Sequence, residues 1–311
     1  MSEDKRKLFS IVVPIYGNEK NIPITIPYFI SKLDLFPKYD VEIIMVCDGS
    51  PDASYEEMKT MYERYPGIIR IVNFTRNFGQ GAAVHCGMDM AKGDIIGVIS
   101  CDMQDPFELF VDMVAAWEEG YKLVIASRKG RNESGVSTQA AKLLHRLVNR
   151  FVDRRYPTGG FDFFLVDRKV AEQFCQIDAA NGSMQMLLIW MGYKYKNIEY
   201  IREERKVGKS GYNFWRKLNV AIGIFVTYST LFTQIWAFIG GGLGLVGAIA
   251  FLVTLVMLLN GLHTGIWLVI SFVALCTGLV LCSVSAVGEY IWRIFDNSKH
   301  RPRYVIDESY E

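Results

Sequence analysis

The sequence predicts an α/β fold built on a mostly parallel sheet, followed by an apolar tail that crosses a membrane twice. Three observations carry this reading. Five short apolar runs alternate with segments of helix length through the first part of the chain. Polar residues collect where each run ends. No Asp, Glu, Lys or Arg occurs between Ile235 and Val287.

The strands are read in order. Residues 8–14 form a β-branched run ended by Pro14, and 41–47 a second ended by Asp48-Gly49-Ser50. Residues 68–73, 95–99 and 122–127 complete the set. Helices are expected at roughly 20–33, 52–65, 80–91 and 107–119, so the connections are βαβ units. In a parallel sheet all five polar ends share one edge, and ligands bind in α/β sheets beyond the carboxyl ends of the strands. Pro14-Ile15-Tyr16-Gly17-Asn18-Glu19, Asp48-Gly49-Ser50, Thr75 to Gly81, Ser100 to Pro106 and Ser127-Arg128 therefore belong to one cleft.

The tail is read from length and charge. Residues 235–259, about 25 at ~1.5 Å each, exceed the roughly 30 Å hydrocarbon core, and 266–287 also span it. The turn at 260–265 leaves both ends on one side. Arg216, Lys217, Arg293, Lys299, Arg301 and Arg303 flank the pair, and basic flanks belong in the cytoplasm. The expected organisation is a domain over 1–211, an interfacial amphipathic helix over 212–232 and a two-span hairpin with a short tail over 233–311. Both termini and the domain would be cytoplasmic, on a cell membrane. Gly240-Gly241-Gly242-Leu243-Gly244 allows close helix packing, between the two spans or in a homo-oligomer.

The chain has 311 residues, 50% hydrophobic, with formal net charge +1. This gives no ground for a nucleic-acid partner. The charged start, Met1 to Lys7, lacks the apolar core of a signal peptide. Six cysteines (47, 86, 101, 175, 276 and 282) show no paired spacing and are expected to be reduced thiols.

Ser100-Cys101-Asp102-Met103-Gln104-Asp105-Pro106 sets two carboxylates and an amide oxygen where a strand ends. Hard cations take oxygen ligands and are often completed by substrate phosphates, but Asp105-Pro106 also suits a plain helix start. Asp48-Gly49-Ser50 fits a nucleoside contact or a strand-to-helix turn equally well. Arg76-Asn77-Phe78-Gly79-Gln80-Gly81 precedes a helix whose N-terminus favours an anion, or is a glycine-permitted turn. Asp162, flanked by Phe161 and Phe163, is either a satisfied structural group or a tuned catalytic one. Asp167 reads as a helix cap.

Taken together, Val13-Pro14 with Asn18-Glu19, Asp48-Gly49-Ser50, Arg76-Asn77-Phe78-Gly79 and Asp102-Met103-Gln104-Asp105-Pro106 resemble the family 2 glycosyltransferases with the GT-A fold. The nearest likeness is to the polyprenyl-phosphate group of bactoprenol glucosyltransferase and dolichol-phosphate mannose synthase. The resemblance implies a Rossmann-like nucleotide-diphospho-sugar transferase domain followed by interfacial and transmembrane helices. It implies inverting transfer of a hexose, UDP-glucose being the first choice and UDP-GlcNAc or GDP-mannose the alternatives, to undecaprenyl or a similar polyprenyl phosphate.

By the same resemblance, Pro14, Tyr16, Glu19, Asp48, Arg76, Gly79, Ser100, Asp102, Met103 and Gln104 bind the nucleotide sugar. Asp102 and Gln104 hold Mg²⁺ or Mn²⁺, and Asp162 together with Asp102 is catalytic. Arg128, Arg131, Arg205 and Lys209 take the lipid phosphate or the diphosphate. Two departures stand out. Cys47 and Ser100 occupy positions where the family carries an acid, which leaves a non-catalytic sugar-nucleotide-binding scaffold as the rival. Two spans and no Gln-x-x-Arg-Trp element speak against a processive synthase.

Overall fold

The computed structural model describes residues 6–128, 155–157, 161–177, 183–201 and 302–311, with isolated helical positions between 249 and 298. The chain divides into two compact units, Met1–Leu218 with Pro302–Glu311, and Asn219–Arg301.

The first unit is built on a sheet of β1 (Lys7–Ile15), β2 (Tyr39–Cys47), β3 (Ile69–Phe74), β4 (Ile95–Val98), β5 (Leu123–Arg128), β6 (Phe163–Asp167), β7 (Tyr195–Tyr200) and β8 (Ile306–Tyr310). Their spatial order is β7-β5-β6-β4-β1-β2-β3-β8. The helices are α1 (Ile22–Ser31), α2 (Ser54–Arg64), α3 (Gln80–Met90), α4 (Leu109–Glu118), α5 (Arg168–Gln176) and α6 (Met184–Trp190). The five strands and four helices read from the sequence all form, with ends moved by a residue or two.

The sheet is mixed where a mostly parallel one was expected. β1 pairs parallel with β2 and β4, β2 with β3, and β5 with β7. β6 runs antiparallel between β4 and β5, and β8 antiparallel to β3. Because β6 reverses between them, β4 and β5 still point the same way. All five polar ends therefore reach one edge. The start of β6 reaches it too, and this brings Asp162 to the edge.

Alternation along β1 sorts the two faces. Ile11, Val13 and Ile15 join the core that contains Ile22, Phe29, Met58, Phe110 and Met113 from α1, α2 and α4. Val12 meets α3, where a Cβ on Gly87 would lie 2.2 Å from its Cγ1. Beneath the Ser100–Pro106 loop the aromatic rings interlock. Phe110 sits edge-on to Phe9, Phe107 and Phe163 at 5.2, 5.5 and 4.8 Å, and Phe107 stacks on Phe29 at 4.7 Å. Truncating such a ring to alanine costs about 3–5 kcal/mol. Gly97 makes room for them, since a Cβ there would lie 2.4 Å from Phe110. The loop is thus floored by a rigid aromatic cluster.

Local signals set the helix starts. A proline opens α1, and the Asp167 carboxylate caps α5 by accepting the Lys169 N–H at 3.1 Å, as the sequence predicts. At the far end of the sheet, away from the cleft, β8 closes the edge of β3. Tyr304 stacks on Phe74 at 4.9 Å, and the Tyr55 hydroxyl donates to Glu308 at 2.8 Å.

In the second unit, Ile249, Val253, Val256, Val273, Val280, Val284, Val287, Ile291 and Ile294 occupy helical positions and are exposed. Among the described residues no helix is long and apolar enough to cross a membrane. The expected spans at 235–259 and 266–287, the turn between them and the interfacial helix at 212–232 lie outside the described residues, apart from such isolated positions.

Candidate active site

The cleft edge is assembled by loops that tie one another down. After β1, the Gly17 N–H donates to Ser50 Oγ at 3.1 Å, Asn18 N–H to Ser54 Oγ at 2.9 Å and Glu19 N–H to Asp52 Oδ2 at 3.2 Å. Glu19 Oε2 accepts the Ala53 N–H at 3.2 Å in return. Burial works against the charge of Asp52, but the Ser54 hydroxyl and the Glu19 and Ser54 N–H groups outweigh it and hold the carboxyl below its ordinary value. Pro14 is half-buried at the end of β1, and Tyr16 is exposed beyond it. Tyr16 offers an aromatic face to solvent at the cleft rim.

Asp48 is 3% exposed. Its Oδ1 accepts the Phe78 N–H at 2.6 Å and its Oδ2 the Gly79 N–H at 2.9 Å. Burial pushes this carboxyl up, while the two N–H bonds pull the other way. The turn reading of Asp48 is therefore realised across loops: it shapes the segment ahead of α3. Gly79 begins α3 at φ +99°, a conformation that favours glycine. Gly49 is equally constrained, since a Cβ there would lie 2.2 Å from the Arg76 backbone. Arg76 is exposed, its guanidinium 4.2 Å from the Phe78 ring centroid. Cys47 points into the apolar core rather than the cleft. Burial raises its thiol, and Ser50 partly offsets this by hydrogen bonding to the sulfur.

The Ser100–Asp105 loop is the centre of the edge. Ser100 Oγ lies 2.7 Å from Asp102 Oδ1 and 3.0 Å from Asp105 Oδ2. One hydroxyl proton serves one carboxylate at a time, so the two acids share a donor. The Gln104 N–H donates to Asp102 Oδ1 at 3.3 Å, and Gln104 is buried. Met103 makes this turn at φ 54°, the one non-glycine positive φ among the described residues. The Thr25 hydroxyl pins the loop from α1 by donating to the Cys101 carbonyl at 2.9 Å.

Across the cleft, Arg128 Nη2 donates to Asp162 Oδ2 at 3.0 Å, and Gln185 Nε2 to Asp162 Oδ1 at 2.8 Å. The Ser183 hydroxyl orients Gln185 by donating to its Oε1 at 2.8 Å. The two halves are joined. Arg128 hydrogen-bonds the Tyr200 hydroxyl, and that hydroxyl donates to Asp105 Oδ1. A continuous hydrogen-bonded line thus runs from Asp102 through Ser100, Asp105, Tyr200 and Arg128 to Asp162. Asp162 and Asp102 were expected to meet on one edge, and the line joins them there. Arg131, Arg205 and Lys209 lie outside the described residues.

Sequence reasoning missed Gln185, Ser183, Tyr200 and the structural use of Asp105. Ser183 was the most legible of these, a serine ahead of the apolar run Met184 to Trp190, and it does cap α6. Tyr200 ends a strand of mixed polarity, and only the pairing Arg128↔Tyr200 in the β5·β7 register reveals it.

The donor set suits a hard divalent cation, with two carboxylates and a hydroxyl drawn together on one short loop. Among the described residues no group of three or more His, Cys, Asp or Glu side chains could hold a metal ion unaided. That matches a cation held by one or two carboxylates and completed by substrate phosphates.

The model of glycosyl transferase family 2 matches residues 10–175. An uncharacterised glycosyltransferase of Bacillus subtilis, YkcC, is 33% identical over 97% of this chain and 94% of its own. A bactoprenol glucosyl transferase of Shigella phage SfV is 33% identical over 96% and 97%. A prophage bactoprenol glucosyl transferase homolog of Escherichia coli is 31% identical over 96% and 97%. The cleft, its acid-rich loop and these near full-length matches agree: the chain is a glycosyltransferase and belongs to glycosyl transferase family 2.

Proposed function

We propose that the enzyme transfers a hexose from UDP-glucose to a polyprenyl phosphate at a membrane surface, with inversion at the sugar C1. The single observation that carries the reading is the line joining Asp102 to Asp162 at the cleft edge. It couples a cation- and diphosphate-binding loop to a carboxylate held for the acceptor. The bactoprenol glucosyl transferases among the relatives support the lipid acceptor.

In the reaction, a lipid phosphate oxygen attacks the sugar C1. The bond from C1 to the diphosphate oxygen breaks, its electron pair leaves with UDP, and polyprenyl-phosphate-glucose forms. Asp102, with Gln104, would hold Mg²⁺ or Mn²⁺, which supplies charge neutralisation for the departing diphosphate. Ser100 and the Gln104 N–H fix the Asp102 carboxylate. A phosphate monoester is already anionic near neutral pH, so the acceptor needs little help from a base. Asp162, held on both oxygens, orients the attack instead, and Arg128 offers guanidinium charge beside it. Pro14, Tyr16, Glu19, Arg76 and Gly79 line the nucleoside side, with Asp48 setting the loop that carries Arg76 and Gly79. Arg131, Arg205 and Lys209 add cationic contacts to the phosphates.

The membrane location rests on the charge-free stretch from Ile235 to Val287 and on the exposed apolar helical positions of the second unit. Basic flanks favour a cytoplasmic catalytic domain, where sugar nucleotides are made. The test is a donor screen: purified full-length protein, undecaprenyl phosphate, Mn²⁺ or Mg²⁺, and radiolabelled UDP-glucose, UDP-GlcNAc or GDP-mannose. Lipid-linked glucose formed fastest from UDP-glucose is expected. A faster rate with another donor corrects the sugar, and no lipid-linked sugar from any donor overturns the reaction.

A further inference from the structure

Tyr200 stands between the two halves of the site. It ends β7 in direct register with Arg128 at the end of β5. It is 7% exposed, and its ring packs edge-on to Phe163 at 6.1 Å, one residue from Asp162. Its hydroxyl accepts from Arg128 and donates to Asp105, whose other oxygen faces Ser100. Burial and the adjacent Asp105 carboxylate hold the phenol well above its ordinary value, so it keeps its proton and remains a donor. One phenol therefore contacts both the loop that carries the cation-binding acid and the guanidinium that holds Asp162.

We infer that Tyr200 is a positioning residue that locks the donor loop and the acceptor-side Arg128–Asp162 pair into one arrangement, so that the two substrates are aligned together. This rests on the transfer reaction proposed above. Tyr200 touches neither the reacting atoms nor the cation. It acts through Asp105 on one side and Arg128 on the other. A residue packed there only for stability would have no reason to present its hydroxyl to both.

The test is Tyr200→Phe in the full-length enzyme, which keeps the ring and its packing. Losing the shared hydroxyl is expected to raise both the Mn²⁺ concentration for half-maximal rate and the KM for undecaprenyl phosphate, each about three- to tenfold, the worth of one hydrogen bond. The midpoint of thermal unfolding should stay near that of the wild type. Asp105→Asn, altered at the other end of the bond, should give the same paired shift. A shift on one side only, or none, overturns the coupling. A loss of folded protein in Tyr200→Phe with unchanged constants per folded molecule makes the residue structural, and also overturns it. The wild type runs beside both variants: an inactive wild type sinks the reaction, whereas an active wild type matched by its variants sinks only the role of Tyr200.

Discussion

Asp162 and Gln185 meet at 2.8 Å, amide nitrogen to carboxylate oxygen, while Arg128 occupies the other oxygen at 3.0 Å. The carboxylate is thus an acceptor on both sides and is fixed in rotation. Its place at the edge follows from β6 running against its neighbours, which delivers the start of that strand to the ends of β4 and β5.

Asp162→Asn tests this arrangement. Asparagine has one acceptor oxygen and one amine, so it cannot accept from Arg128 and Gln185 at once without a donor facing a donor. The turnover number is expected to fall about a hundredfold, the order of loss that follows from misplacing a reacting pair. Affinity for UDP-glucose in the presence of Mn²⁺, read by calorimetry, should stay within about twofold, because donor contacts lie across the cleft. Collapse of donor binding would recast Asp162 as a structural group.

Much of this site was legible because βαβ alternation sends every strand end to one edge. Asp48, Arg76, Gly79, Ser100, Asp102 and Arg128 were found simply by reading the residue types that follow apolar runs. Gln185 and Tyr200 were not, for a physical reason. Each acts through a long-range partner, Gln185 on Asp162 and Tyr200 on Asp105, and pairing across such separations leaves no local pattern. The antiparallel β6 was hidden likewise. Phe163 to Val166 is a short apolar run whose direction depends on its neighbours rather than on its own residues. Cys47 was read as a lost nucleoside contact, but its side chain lies in the core at the end of β2.

Asp48 supports a prediction about stability. Asp48→Ala leaves the N–H groups of Phe78 and Gly79 without their acceptor, at a cost of about 1–3 kcal/mol for each that stays dry. The pH dependence has a definite sign. Burial raises the folded-state value above the ordinary 3.8, so the folded chain binds this proton more tightly than the unfolded chain does. The contribution of Asp48 titration is therefore most favourable below the ordinary carboxylate range and declines as pH rises through it. Asp48→Asn removes that decline. The thermal midpoints of wild type and Asp48→Asn, measured from pH 4 upward, should change in the mutant's favour as pH rises. A gap constant with pH would show that Asp48 carries no such linkage.

The Ser100–Asp102 contact predicts a graded pair. Asp102→Ala should abolish turnover and remove the metal dependence of donor binding, since it deletes a charged oxygen ligand. Ser100→Ala keeps both carboxylates and loses only their shared donor. Its rate should fall about tenfold and recover partly at higher Mn²⁺, as expected for one hydrogen bond to a charged group. Calorimetric titration of UDP-glucose at several Mn²⁺ concentrations separates the two. If Asp102→Ala keeps wild-type metal dependence, the cation is held elsewhere.

The opposite end of the sheet carries a contrast between a buried and an exposed partner of one arginine. Arg70 donates to Glu42 at 3.2 Å and to the Met90 carbonyl at 2.6 Å, and Glu42 also accepts from Ser10 at 2.5 Å and the Lys92 N–H at 2.7 Å. Both charged side chains are about nine-tenths buried. Arg70→Met would leave Glu42 buried without its counter-charge, which typically costs 3–5 kcal/mol, and the thermal midpoint should fall by roughly 10 °C. Glu311 also pairs with Arg70, at 3.1 Å from the end of β8, but its side chain is 60% exposed. Water already screens that contact, and Glu311→Gln should barely move the midpoint. Thermal unfolding of the two variants side by side checks the contrast. Equal losses would mean that the tail contact matters as much as the buried pair, and that β8 is held to β3 chiefly by charge.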